Sequence, residues 1–289
     1  AGIWKPRTQP GAFEGVGENG LKWLQEVKKT YGFKICTEVA TAEHVELALK
    51  YGIDMVWIGA RSTVNPFTVQ ELAEALQGKN IPVMVKNPVN PDLKLWIGAI
   101  ERLERHQIEV IGAIHRGFSV YEKTNYRNNP HWQIAIDLKQ ERPDLNLIMD
   151  PSHIGGRANL IQPLAQQALD LNYDGLMIES HINPEAAWTD AKQQISPQRL
   201  KEIYAALEPK NPAAIQANVL ADYREQLSLI DESLIRLLQQ RMAISKEIGI
   251  HKRQHNQHIL QAQRWEETLK ANLQKALDSG LSEEFAKQM

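Results

Sequence analysis

The sequence has little of several features, and each shortage excludes a class of protein. One cysteine, Cys36, among 289 residues excludes an intrachain disulfide framework, so we expect a reducing, cytoplasmic setting and a buried apolar role for this side chain. The net charge is only −2, which gives no general attraction to nucleic acid or to an anionic membrane surface. No apolar run approaches the roughly 18 residues of a membrane span. A soluble globular protein is expected.

Proline and glycine are nearly missing from the C-terminal part. All 14 prolines and 15 of the 17 glycines precede Ala213. Because these residues punctuate turns and short elements, the stretch without them is expected to be helical. We predict a barrel-like domain at 1–208, a linker at 209–216 and an all-α domain at 217–289, with both domains incomplete at the chain ends.

Short β-branched runs alternate with amphipathic stretches before the linker. Two of the helical stretches are Ala42–Tyr51 and Leu160–Leu171. The runs are apolar on both faces, as in parallel strands covered by helices, so we predict an α/β fold, a (β/α)8 TIM barrel that lacks its first strand in this chain. The end of one further strand is expected at residues 2–5. The six complete runs are Phe33–Val39, Met55–Ala60, Pro82–Lys86, Glu109–His115, Asn146–Asp150 and Gly175–Glu179.

Charged side chains follow the carboxyl ends of these runs, where the active face of such a barrel lies. Each cation alone could be a solvated loop charge, but together they predict a site for phosphorylated anions. His153, Glu179 and Asp190 offer the nitrogen and oxygen ligands of a divalent metal, although His153 alone could be a hydrogen-bonded loop histidine. The cations are Lys5, Arg7, Arg61, Lys86, Arg116 and Arg157.

The ordered motifs of this region resemble those of the 3-deoxy-D-arabino-heptulosonate 7-phosphate (DAHP) synthase family. They are Lys5-Pro-Arg-Thr8, Ile58-Gly-Ala-Arg61, Val85-Lys86, His115-Arg-Gly117, Asp150-Pro-Ser-His153, Met177-Ile-Glu179 and Thr189-Asp190. The resemblance implies a metal-dependent condensation of phosphoenolpyruvate with erythrose 4-phosphate that releases phosphate.

The same resemblance implies roles for individual residues. Phosphoenolpyruvate would be held by Arg61, Lys86 and Arg116. Lys5 would lie between the two substrates as a catalytic group, and Arg7 with Thr8 would bind erythrose 4-phosphate. His153, also catalytic, would join Glu179 and Asp190 as ligands of a manganese, zinc, iron or cobalt ion. The family's Gly-Pro-Cys-Ser segment, which supplies a fourth ligand, is not in this sequence.

A stripe with alternating spacings of four and three residues follows the linker and predicts one long helix. Further helices are predicted at about 260–277 and from Ser282. Cations interrupt the stripe, and they would either reach water at its edge or meet an anionic ligand. The stripe comprises Leu220, Arg224, Leu227, Asp231, Leu234, Leu238, Arg241, Ser245, Ile248 and Lys252.

This pattern resembles the all-helical chorismate mutase family. The resemblance implies that Arg224, Arg241, Lys252, Gln261 and Arg264 bind chorismate, with Arg241 and Lys252 stabilising charge during its rearrangement to prephenate. Arg224 and Lys252 are 28 residues apart, about 42 Å along a helix, so one chain cannot place both on one small ligand. We therefore expect a homodimer of antiparallel helices.

Three functional hypotheses follow from these patterns. The first is a bifunctional enzyme of aromatic biosynthesis, with synthase and mutase activities. The second is a synthase whose helical domain only dimerises the chain and senses chorismate or prephenate. The third is an inactive fragment.

Overall fold

The computed structural model describes residues 3–4, 11, 13–121, 124–209 and 217–288. The chain divides into two compact units, Ala1–Lys210 and Asn211–Met289. We call them the barrel unit and the helical unit. Except for Pro209, the predicted linker lies outside the described residues.

Within the described residues of the barrel unit, six parallel strands form one sheet, and helices alternate with them. The strands are β1 (Cys36–Val39), β2 (Met55–Ile58), β3 (Val83–Lys86), β4 (Val110–His115), β5 (Asn146–Met149) and β6 (Gly175–Leu176). The helices are α1 (Glu18–Tyr31), α2 (Ala42–Lys50), α3 (Ala60–Thr63), α4 (Pro66–Leu76), α5 (Leu93–Arg105), α6 (Trp132–Glu141), α7 (Pro151–Gly155), α8 (Ile161–Asp170) and α9 (Pro197–Ala206).

The strands lie in the sheet in chain order, β1 to β6. Each falls within one of the six predicted runs, so the α/β prediction is confirmed. The register places Lys86 opposite Ile114 and His115 opposite Met149, which aligns the carboxyl ends of β3, β4 and β5. This alignment brings residues distant in sequence to one edge of the sheet.

Side-chain caps fix where several helices begin. Thr41, Asn65, Asp92 and Ser196 each accept a backbone N–H from the first turn of the helix that follows. Such a cap satisfies one of the backbone donors that a helix start leaves without a partner. The helices then pack apolar faces onto the sheet, and residues such as Trp96, Leu103 and Leu72 are fully buried.

The start of the described chain differs in detail from the sequence prediction. Ile3 and Trp4 are described but do not belong to a strand, and the other residues of the predicted strand end at 2–5 lie outside the described residues. Ile3 is nevertheless buried in the core, and its carbonyl accepts the N–H of Gly17 at 3.2 Å. Cys36 is only half-buried, because alternate side chains of β1 differ in burial, so the prediction of a buried side chain is wrong.

The helical unit contains α10 (Ala217–Gln254), α11 (Ala262–Asp278) and α12 (Glu283–Gln288). Gly280, with φ at +82°, makes the turn between α11 and α12, a conformation that glycine adopts without steric cost. Large apolar side chains remain exposed, including Leu227, Leu234 and Ile248 at 58%, 48% and 51%. None of the described helices combines the length and apolar character needed to cross a lipid bilayer.

Candidate active site

Three potential metal ligands lie together at the carboxyl edge of the sheet. One ligand atom from each of His153, Glu179 and Asp190 lies within 4.8 Å of the others. His153 Nε2 is 3.9 Å from Glu179 Oε1. Two ligands bound at about 2.1 Å to one ion lie at most about 4.2 Å apart, so this pair already has a suitable separation.

Two features hold the carboxylates beside His153. Glu179 follows β6, and its backbone N–H donates to Ser152 Oγ at 3.0 Å in the turn that carries His153. A bridge between Ser180 and Ile195 then returns the chain and places Asp190 next to Glu179. Asp190 has a left-handed φ of +54°, which aspartate tolerates better than most residues.

Neighbouring side chains orient the carboxylates. The buried Gln193 donates from Nε2 to Glu179 Oε2 at 2.7 Å, leaving Oε1 as the atom nearest His153. Arg127 Nη1 donates to Asp190 Oδ1 at 2.9 Å and also to Gln193 Oε1. Gln193 therefore orients the Glu179 carboxylate, and Arg127 orients the Asp190 carboxylate.

Lys86 lies beside this cluster in a buried ion pair. Its Nζ is 2.9 Å from Asp150 Oδ2 and 5.8 Å from the centre of the Trp57 ring. Burial alone would raise the pKa of Asp150, but the positive charges of His153 and Lys86, with the backbone hydrogen bond from His153, outweigh burial and hold this pKa well below its ordinary value. Asp150 is therefore a carboxylate that lies between Lys86 and His153.

Arg116 occupies the next strand end. Its Nη1 donates to Asn128 Oδ1 at 2.7 Å, and Asn128 Nδ2 donates to the His153 carbonyl at 2.6 Å. Burial, together with the charges of Arg127 and Arg61, lowers the pKa of Arg116 to about 10, although the charge of Asp150 opposes this shift. Arg116 remains cationic at neutral pH, and the neighbouring positive charges favour an anion at this position.

Two glycines allow the Arg127–Asn128 segment to pack closely on the site. A Cβ on Gly117, whose φ is +78°, would lie 2.6 Å from the Asn128 carbonyl oxygen. A Cβ on Gly156, with φ at +64°, would overlap the Arg127 side chain. Both positions therefore require glycine.

His115 ends β4 in the buried core beneath the candidate site, and its ring contacts other core groups rather than the site residues. It is fully buried, with Nε2 2.7 Å from the Pro130 carbonyl and Nδ1 2.8 Å from the Tyr173 hydroxyl. Since a carbonyl can only accept, Nε2 carries the proton and Nδ1 accepts from Tyr173. Burial lowers the pKa of His115 to about 4, so the ring is neutral near pH 7.

The remaining predicted cations are distributed differently. Arg61 is exposed on α3, and its charge acts on Arg116. Arg157 donates to the Asn125 carbonyl, which ties it to the loop before α6. Lys5, Arg7 and Thr8 lie outside the described residues.

Sequence reasoning did not select Asp150, Arg127, Asn128 or Gln193 as site residues. Asp150 lies in the same Asp-Pro-Ser-His motif as His153. The motif therefore pointed to this position, but only the histidine was predicted as a site residue. Arg127 and Asn128 come from an irregular loop, and Gln193 ends a short 3-10 helix, Ala191–Gln193. Their contacts depend on tertiary folding rather than on a periodic pattern.

In the helical unit, Lys252 and Gln261 line one open pocket with Ile248 and His251. Lys252 is half-buried, and its Nζ donates to the Ile259 carbonyl at 3.0 Å. Arg224 and Arg241 are exposed on α10, and Arg264 is exposed on α11 at 3.9 Å from Glu267. Arg224 and Lys252 lie on the same unbroken helix, so their separation along the chain is also a separation in space.

Family comparisons assign the two units separately. Residues 1–214 match the DAHP synthetase I family, and residues 223–289 match the family chorismate mutase type II. The crystal structure of phospho-2-dehydro-3-deoxyheptonate aldolase (DAHP synthase) from Thermotoga maritima has a TM-score of 0.63 and 28% identity, covering 71% of this chain and 57% of that chain. The structural likeness thus concerns the barrel unit.

Curated proteins with two different names are similar to this chain. Phospho-2-dehydro-3-deoxyheptonate aldolase of Thermotoga maritima is 31% identical over 202 residues, which are 70% of this chain and 58% of that protein. This chain therefore spans less than two thirds of that relative's length. The 2-dehydro-3-deoxyphosphooctonate aldolase of Wolinella succinogenes is 25% identical over 68% of this chain and 79% of that protein. Because the family match covers residues 1–214, this chain belongs to the DAHP synthetase I family.

Proposed function

We propose that the barrel unit condenses phosphoenolpyruvate with erythrose 4-phosphate and one water molecule to give DAHP and phosphate. The observation that carries this proposal is the placement of a His-Glu-Asp cluster beside buried or half-buried cations at one edge of the sheet. The cluster suits a divalent ion, and the cations suit phosphate and carboxylate groups. Family membership supports the same reaction.

The donor set fits a borderline divalent metal such as manganese, iron, cobalt or zinc. One imidazole nitrogen and two carboxylate oxygens are available, and the carboxylates already have orienting partners. Such an ion would supply a Lewis acid that polarises the aldehyde oxygen of the second substrate. His153, Glu179 and Asp190 are the residues proposed to hold it.

The residues of the chain then bind and orient the substrates. Lys86, Arg116 and Arg61 would hold phosphoenolpyruvate, because several cations are needed to neutralise its phosphate and carboxylate charges. Lys5 would lie between the substrates, and Arg7 with Thr8 would hold the phosphate of erythrose 4-phosphate. This arrangement would place the enol carbon against the aldehyde carbon and reduce the entropic cost of the encounter.

A direct assay tests the synthase proposal. The intact protein, freed of metal with a chelator, is supplied with both substrates, and DAHP and phosphate are measured before and after Mn²⁺ is added. We expect both products in equal amounts, and only with metal. Loss of phosphoenolpyruvate without DAHP formation, or equal rates with and without metal, would contradict the proposal.

We infer that the helical unit rearranges chorismate to prephenate. The pocket that contains both Lys252 and Gln261 supports this inference, as does the match of residues 223–289 to the chorismate mutase family. The rearrangement needs no nucleophile. It needs cations that hold a folded dianion and stabilise charge on the breaking ether oxygen, and Lys252 with Arg241 would do so. Arg224 of a second copy would complete the site.

The alternative is that this unit only dimerises the chain and senses chorismate or prephenate. Following chorismate consumption by the intact protein separates the two. Mutase activity predicts prephenate formation that Lys252→Ala abolishes and that Arg253→Ala, a neighbouring cation outside the pocket, preserves. Chorismate binding without prephenate formation would favour the sensory role.

A further inference from the structure

Asp150 lies between Lys86, which is proposed to bind phosphoenolpyruvate, and His153, which is proposed to bind the metal. It follows β5 directly, and its side chain is 1% exposed. Its Oδ2 atom is 2.9 Å from Lys86 Nζ and 2.8 Å from His153 Nδ1. One oxygen therefore contacts both a cation assigned to phosphoenolpyruvate and a histidine assigned to the metal.

The other carboxylate oxygen of Asp150, Oδ1, makes a different contact. Asp150 Oδ1 accepts the backbone N–H of His153 at 3.0 Å and so caps the short helix α7. The His153 Nδ1 atom lies 2.8 Å from Oδ2, but it makes no hydrogen bond of good geometry there, so the two groups are in close contact without a linear hydrogen bond. Backbone and ring of His153 are thus both placed by one carboxylate.

We propose that Asp150 is a positioning residue that anchors His153 for the metal and Lys86 for phosphoenolpyruvate through one shared oxygen. This inference rests on the proposed synthase function. A carboxylate at Nδ1 keeps the proton there and leaves Nε2, which faces Glu179 Oε1 at 3.9 Å, as the ligand atom. The same carboxylate fixes the Lys86 ammonium at the end of β3.

An asparagine would preserve the cap but not the shared anchor. The carboxamide has one oxygen and one NH2 group, whereas three donors surround Asp150, namely Lys86 Nζ, His153 Nδ1 and His153 N. At least one donor would therefore face an NH2 group. Asp150→Asn also removes the charge that balances Lys86.

The experiment compares the intact wild-type protein with Asp150→Asn. The Kd for Mn²⁺ is measured from the electron paramagnetic resonance signal of the free ion, without substrates, and the Kd for phosphoenolpyruvate is measured by calorimetry without metal. Losing the partner of a metal-bound histidine typically weakens metal binding about 10- to 100-fold, and we expect this range for Mn²⁺. For phosphoenolpyruvate we expect the Kd to rise at least about threefold, since the shared oxygen anchors both groups.

Asp174→Asn is the matched control. Asp174 also pairs with a lysine, Lys139, at 2.6 Å and accepts the backbone N–H of Leu147 at 2.7 Å. It directly precedes β6, however, and so lies at the amino-terminal ends of the strands, away from the candidate site. Its substitution should leave both affinities unchanged. Asp150→Ser, which keeps a capping oxygen, serves as a second variant if Asp150→Asn does not fold.

The outcomes separate this proposal from the proposed function. If the wild type binds both ligands and the folded Asp150 variant keeps either affinity within twofold, the shared anchor is overturned while the synthase proposal stands. If the wild type binds neither ligand, both fall. A reduced melting temperature with unchanged affinities would make Asp150 a purely structural residue.

Discussion

The two units of this chain differ in where their apolar and chemical side chains lie. In the barrel unit, the candidate site residues follow the ends of four strands, β3 to β6, above a continuous buried core. In the helical unit, large apolar residues of α10 are about half exposed, and the predicted cations are spread along the helix. The first unit brings its His-Glu-Asp cluster together within one chain, whereas the second leaves a stripe of apolar side chains exposed.

The difference follows from how the two folds bring residues together. Parallel strands place their carboxyl ends side by side, so residues far apart in sequence meet without a partner chain. A single long helix instead keeps residues as far apart in space as they are in sequence. We therefore propose that the helical unit forms its site from more than one helix and that a second copy buries its exposed apolar stripe.

The largest expected effect is the loss of metal binding in His153→Ala. Removing a ligand should cost more than removing its outer partner, so we expect Mn²⁺ affinity to fall by more than about 100-fold, with synthase activity lost. Chorismate consumption should be unchanged, because the helical unit holds none of these ligands. His106→Ala, a histidine at the end of α5, is the control. A parallel loss of both activities would show that the units are not chemically separate.

The next effect concerns the acid stability of the barrel unit. The folded pKa of His115, about 4, lies below its ordinary value of 6.5, so the unfolded chain binds the proton first as pH falls. The stability linked to this group is therefore fully present above about pH 6.5 and is lost as pH falls to about 4, by about 3 kcal/mol. We expect His115→Gln to flatten the pH dependence of the unfolding free energy in this window.

Denaturant unfolding followed by tryptophan fluorescence at several pH values measures this slope. His258→Gln, which changes an exposed histidine of the helical unit, should leave the slope as in the wild type. An equal slope in His115→Gln would mean that other groups control acid unfolding of the barrel unit.

The sequence predicted the framework of the barrel unit better than the details of its site. Apolar runs located all six strands, and the strand-end rule grouped His153, Glu179 and Asp190, which do converge. The rule selects residues by their place after a strand. It could not select Gln193 or Arg127, because a return of the chain through the Ser180–Ile195 bridge brings Gln193 to Glu179, and a loop packed on Gly156 brings Arg127 to Asp190.

A smaller effect is expected at the anion site. Arg116→Ala removes a half-buried cation and leaves Asn128 without its guanidinium donor, so we expect kcat/KM for phosphoenolpyruvate to fall roughly 30-fold, about 2 kcal/mol, through a higher KM and a lower kcat. Steady-state kinetics with saturating erythrose 4-phosphate measures both constants. Arg105→Ala changes an exposed arginine at the end of α5 and should have no effect. An unchanged kcat/KM in Arg116→Ala would remove this residue from the substrate site.

The smallest effect, a partial recovery of activity, tests the helical unit most directly. If each mutase site takes Arg224 from one chain and Arg241 from its partner, Arg224→Ala and Arg241→Ala dimers are both inactive. After equal mixing and exchange, half of the dimers are hybrids, and each hybrid has one intact site and one doubly changed site. We therefore expect about one quarter of the wild-type activity in the mixture.

A second mixture distinguishes a shared site from a site within one chain. Wild type mixed equally with the Arg224→Ala, Arg241→Ala double variant should retain about a quarter of wild-type activity, because every hybrid site then lacks one arginine. Sites formed within one chain would instead retain half of the activity here and none in the mixture of single variants. Subunit exchange is verified by native mass spectrometry. Within one chain, α10 holds Arg224 and Lys252 about 42 Å apart. A result that indicates sites within one chain would therefore also require α10 to bend or break on binding chorismate.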